Sequence, residues 1–62
     1  MSLTSQRLPD MNTAYIETCI NGYWQEVSSG PMDTIQQDVE YWKKTTTDPV
    51  RAVDSEGRVV AI

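Results

Sequence analysis

The sequence predicts a two-layer α+β domain of order ββαββ, a four-stranded antiparallel sheet with one helix packed on one face. Three observations carry this expectation. An Asn21-Gly22 dipeptide sits inside a run rich in β-branched and aromatic residues, a single apolar stripe at helical spacing follows, and two short valine-rich runs close the chain around a Gly-containing turn.

The first hairpin spans "TAYIETCI" (residues 13–20) and "YWQEVSS" (23–29). A two-residue Asn-Gly turn pairs 20 with 23, 19 with 24, 18 with 25 and 17 with 26. Because side chains alternate along a strand, Ile16, Ile20, Tyr23 and Val27 fall on one face and Tyr15, Glu17, Cys19, Trp24 and Glu26 on the other. The first set is the more apolar, so it is expected to be core.

Gly30-Pro31 is expected to break the second strand, with Pro31 at the first helical position, or with Asp33 as the cap and Gln36 completing a capping box. In "MDTIQQDVEYWKK" the residues Met32, Ile35, Val39 and Trp42 are spaced by three and four, which places them on one face of an amphipathic helix. Glu40 precedes Lys44 by four residues on the outer face. Three threonines and then Asp48-Pro49 end the helix, since β-branched residues are poor helix formers and the residue before proline avoids helical backbone.

The closing hairpin joins "VRAV" to "RVVAI" through Asp54-Ser55-Glu56-Gly57, a composition suited to a type I turn with Gly in the left-handed position. Regular pairing from Asp54–Arg58 onward places Val50, Ala52, Val60 and Ile62 on one face and Arg51, Val53, Val59 and Ala61 on the other. A right-handed crossover through the helix gives the strand order 2-1-3-4. The helix then covers Ile16, Ile20, Tyr23, Val27, Val50, Ala52, Val60 and Ile62. The opposite face is left open, and residues 1–12, which lack any period and contain Pro9, are expected to form a flexible N-terminal arm outside the single 13–62 domain.

Composition narrows the function classes. With 62 residues the core is small, and such domains rarely hold more than ~3 to 5 kcal/mol of net stability. There is one cysteine and no histidine, so neither an internal disulfide nor the familiar zinc ligand sets can form within one chain, and no metal or other cofactor is implied. Nine acidic and five basic side chains give a net charge of −4, which disfavours a nucleic-acid ligand and favours a basic partner surface. The longest apolar run is short and no secretory leader is evident, so a cytoplasmic protein is expected. Cys19 has no histidine to activate it, and paired carboxylates on an open sheet lack the cleft that acid–base catalysis needs. The chain is therefore read as a non-enzyme.

The candidate site is the open face: Tyr15, Glu17, Trp24, Glu26, Arg51, Val53 and Val59. Glu17 directly opposite Glu26 is unfavourable in isolation. A cation arriving from a partner would relieve it, with Trp24 and Tyr15 as apolar anchors. The short acidic chain, the Asn-Gly hairpin, the Trp near the end of the helix in "VEYWKK" and the closing "VRAVDSEGRVVAI" together resemble in layout the small acidic accessory proteins of phages and prophages, among them inhibitors of host RNA polymerase and anti-CRISPR proteins. That resemblance implies inhibition or regulation by binding a larger host protein with a basic surface patch. The alternative is a structural homodimer paired through the same face. A nucleic-acid binder is the more distant one, because only Arg51 is expected among the face residues as a cation.

Overall fold

The computed structural model describes residues 12–62. Strands β1 (Thr13–Ile20) and β2 (Tyr23–Pro31) are followed by a 3-10 turn (Met32–Thr34), helix α1 (Ile35–Thr45) and strands β3 (Val50–Val53) and β4 (Val59–Ala61). They form one antiparallel sheet of order β2-β1-β3-β4 with the helix on one side, the α+β arrangement expected. The expected arm lies, up to Met11, outside the described residues. Asn12 is tied down, since its carbonyl accepts a 2.7 Å hydrogen bond from the Met32 amide.

Both turns follow the chemistry of their residues. Asn21 and Gly22 both take positive φ, 54° and 86°, the paired left-handed residues that a tight hairpin turn requires. In the second turn Gly57 has φ 87°, and its amide donates to the Asp54 carbonyl at 3.0 Å. The Asp54 carboxylate fixes this turn. Oδ1 accepts the amides of Glu56 and Arg58, each at 2.9 Å, while Oδ2 meets Arg58 Nε at 3.1 Å.

The backbone amide of Arg58 is the main cause holding the Asp54 carboxyl below its ordinary value, with the Glu56 amide and the Arg58 side chain adding to it and desolvation opposing it. A carboxylate with a depressed folded-state pKa adds stability above its unfolded value and loses it as pH falls through the folded one. Thermal melts at stepwise lower pH are therefore expected to show an acid loss that is smaller in Asp54→Asn.

The core lies between helix and sheet. Ala14, Ile16, Ile35, Val39, Val50, Ala52 and Ala61 are buried, with Met32 and Trp42 packed against them. Trp42, expected on the apolar face of the helix, is thus a partly buried flank of the core. Ala14 and Thr18 share the face of Ile16, and Thr18 is buried with them. Among the described residues no buried side-chain nitrogen or oxygen lacks a hydrogen-bond partner.

Several assignments are corrected. Strand β2 is not broken at Gly30 but runs through Pro31, pairing Gly30 with Ala14 and Pro31 with Thr13. Proline is tolerated there because β2 is an edge strand. A Cβ at Gly30 would stand 2.9 Å from the Asp38 carboxylate, so glycine lets the helix start close above the strand. The helix itself begins through the 3-10 turn, and neither Pro31 nor Thr34 is joined by a side-chain cap, so the capping box is not formed. Glu40 accepts a hydrogen bond from Gln36 at 3.1 Å, in place of the expected Lys44 partnership.

Two bulges change the faces. In β2 the register steps from Glu17–Glu26 to Ile16–Ser28, leaving Val27 as the extra residue. In β4 it steps from Val53–Val59 to Ala52–Ala61, leaving Val60 extra. Ala61, expected on the open face, is consequently buried under the helix, whereas Val60 and Ile62, expected in the core, are exposed. Val27, also expected in the core, is exposed as the extra residue of its bulge, whereas Tyr23, expected there too, is exposed for a different reason, a matter of length. Eleven helical residues span about 16 Å, but the eight residues of β1 span about 27 Å. The far end of the first hairpin extends past the helix, and Tyr23 is 73% exposed there.

Candidate functional site

The sheet face opposite the helix is ordered in rows across the strands. One row is Trp24 on β2 beside Cys19 on β1. The next is Glu26 on β2, Glu17 on β1 and Arg51 on β3. The third is Ser29, Tyr15, Val53 and Val59 across all four strands. The seven residues expected at the site do share this face.

The middle row resolves the two facing carboxylates. Arg51 stands directly opposite Glu17 on the other side of β1, and its Nε donates to Glu17 Oε1 at 2.9 Å. The cation expected from a partner is supplied by the chain itself. The two side chains are only 27% and 16% exposed, respectively, so this charge-assisted bond is less screened than an ordinary surface pair.

Arg51 also touches Trp24. The guanidinium carbon lies 4.0 Å from the centroid of the indole ring. Their strands are two apart, a main-chain separation of about 10 Å. Both side chains must therefore lean inward and meet above β1. A cation on an indole face contributes ~0.5 to 1 kcal/mol at exposed sites and more when desolvated. The arginine thereby holds Trp24 in one orientation while leaving it 40% exposed.

The third row is unequal. Val59 is half exposed, but Val53, also expected as an exposed contact, is only 1% exposed although it lies on the face opposite the helix. It is therefore not part of the exposed surface of this face. Sequence reasoning missed Tyr23 as an exposed neighbour of Trp24. The signal was available in the lengths of the helix and the hairpin, which do not match.

Among the described residues there is no pocket and no cluster of His, Cys, Asp or Glu able to hold a metal ion. None of the described helices is long and apolar enough to cross a membrane. No family model, curated protein or solved structure matches the chain.

Proposed function

We propose that this chain is a non-enzymatic protein-binding module of the cytoplasm that meets its partner through the open sheet face. The observation that carries this reading is the Trp24–Arg51 stack: a large aromatic surface held in place by the chain's own cation and still open to water. Pre-oriented aromatic and arginine side chains are the residues most often dominant in protein interfaces, because little ordering is left to be done on binding. Tyr15 and Val59 extend the apolar part of the face, and Glu26 adds an exposed carboxylate beside Glu17. Together with the net charge of −4, this favours a partner surface with a basic patch.

The layout shared with small acidic phage and prophage accessory proteins suggests a host protein as that partner and inhibition or regulation as the outcome. The second reading, a homodimer through the same face, is favoured by the half-exposed Val59 and by the small size of the core. The two readings separate in light scattering across salt concentrations. A dimer held by apolar burial keeps its mass as salt rises, while a charge-led complex with a basic partner weakens. Trp24→Ala is expected to keep the domain folded, with a melting temperature lowered by a few degrees through the lost stack on Arg51, and to abolish partner capture. Retention of the partner by this variant removes the face as the binding surface.

A further inference from the structure

Resting on the reading that this face meets a protein partner, we propose that residues 1–11 of the chain itself hold the face first, lying across it as a strap with Leu8 over Val53 and Arg7 beside Glu26, and that the partner binds by displacing them. The burial of Val53 points there. Val53 is 1% exposed, yet it lies on the face opposite the helix and does not belong to the core cluster beneath the helix. Side chains stand roughly perpendicular to a sheet, so Tyr15 and Val59 in the same row cover the flanks of Val53 but not its tip. Arg51, two residues away on β3, leans across β1 toward Trp24 instead. Sealing the tip takes a second layer on this side of the sheet, and none of the described helices or strands supplies one. The exposure of the face agrees with a cover of limited width. Its centre, formed by Glu17, Arg51 and Val53, is largely shielded, whereas Trp24 on β2 and Val59 on β4, at the two edges, stay open.

Reach and charge fit the same segment. The chain enters its described part beside β2, since the Asn12 carbonyl accepts from the Met32 amide and Thr13 pairs with Pro31. Pro9-Asp10 just before it is turn chemistry, which lets the preceding residues double back over the face. Leu8 lies five residues ahead of Thr13 and Arg7 six, so an extended chain carries them up to about 17 and about 20 Å. Tyr15 is two residues along β1 from Thr13, with Val53 one strand over, a distance of about 8 Å. Glu26 faces Glu17, four residues along and one strand over on the other side, about 14 Å away. Both are within reach, with slack to step above the sheet. Of the five Lys and Arg residues, Arg51 pairs with Glu17, Arg58 pairs with Asp54 and Glu56, and Lys43 and Lys44 end the helix on the far side of the sheet. Arg7 is the remaining cation, and a carboxylate on a half-shielded face is where it gains most. Tyr15 and Glu26 each carry an interaction already, as residues under a cover do. An arginine followed by a leucine is also the chemistry that this acidic, aromatic face selects in a partner, so strap and partner compete for one site.

The test uses the full chain, labelled for solution NMR. The expected result is nuclear Overhauser contacts from Leu8 to the Val53 methyls and the Tyr15 ring, at the molar mass of one chain. Arg7→Glu sets a second carboxylate beside Glu26 and is expected to lose these contacts and to raise the emission of the apolar-surface dye ANS, with the far-UV circular dichroism of the domain kept. Adding Glu26→Arg to it is expected to restore both. A peptide of residues 1–11 added in excess is expected to shift the face resonances of the Arg7→Glu variant and to leave those of the unaltered chain in place; an equal response of the two chains overturns displacement. If the unaltered chain shows no Leu8–Val53 contact, the strap is overturned. Contacts seen only between differently labelled copies assign the cover to a second copy and overturn it as well. Arg7→Glu with its contacts intact overturns the placing of Arg7 beside Glu26. The face reading is decided separately, by partner capture with Trp24→Ala.

Discussion

Ile16→Ala is expected to unfold the domain at room temperature. Ile16 is fully buried at the middle of β1, the strand flanked by both β2 and β3, and is among the largest of the completely buried side chains. Truncating a buried isoleucine costs ~2 to 5 kcal/mol through lost transfer energy and the cavity left behind. A domain of this size holds only ~3 to 5 kcal/mol in total, so the loss is comparable with the whole. Ile16→Val, which removes one methylene, is expected to cost ~0.5 to 1.5 kcal/mol and to keep a cooperative melt. Circular dichroism of the three proteins is the check. A folded Ile16→Ala variant with a nearly unchanged melting temperature would show that the stability resides elsewhere.

Arg51→Met is expected to be the most costly change on the sheet face, at about 1 to 3 kcal/mol. It takes the Arg51 guanidinium away from Glu17, which is 16% exposed and stands opposite Glu26, and it removes the surface on which Trp24 rests. Arg51→Lys keeps the charge but loses the planar stack and the Nε geometry, so it should recover only part of the loss. Glu17→Gln separates the two electrostatic effects. From the hairpin alone, removing one of two facing carboxylates stabilises the fold; with Arg51 in place, it weakens a charge-assisted bond and should destabilise it. In the Arg51→Met background the same change should become neutral or stabilising. The coupling from this double-mutant cycle is expected between about 0.5 and 3 kcal/mol. A stabilised Glu17→Gln single variant would mean that repulsion from Glu26 outweighs the Arg51 bond.

The parts of the fold legible in the sequence are those governed by local chemistry. Asn21-Gly22 and Gly57 dictate their turns because other residues avoid those backbone angles, and the Met32, Ile35, Val39, Trp42 spacing dictates a helix. The membership of the open face was legible too, since the strand alternation near each turn is undisturbed. Beyond Glu26 and beyond Val59 it fails. A bulge adds one residue without any chemical mark, and valine suits either side of a strand, so nothing in "QEVSS" or "RVVAI" announces the step. The Arg51–Glu17 contact was hidden for another reason. Its register is set across the helix crossover by packing, and no turn residue encodes it.

The same two bulges govern where the chain can change length. Val27 and Val60 are each the one residue that the ladder does not use, so deleting either should merge its neighbours into regular pairing and leave every other residue on its present face. Deleting any other interior residue of β2 shifts the remainder of the strand by one and turns its side chains to the opposite side. Shortened variants of this domain are therefore expected to retain the fold at these two valines, and insertions placed elsewhere in the edge strands to disrupt it.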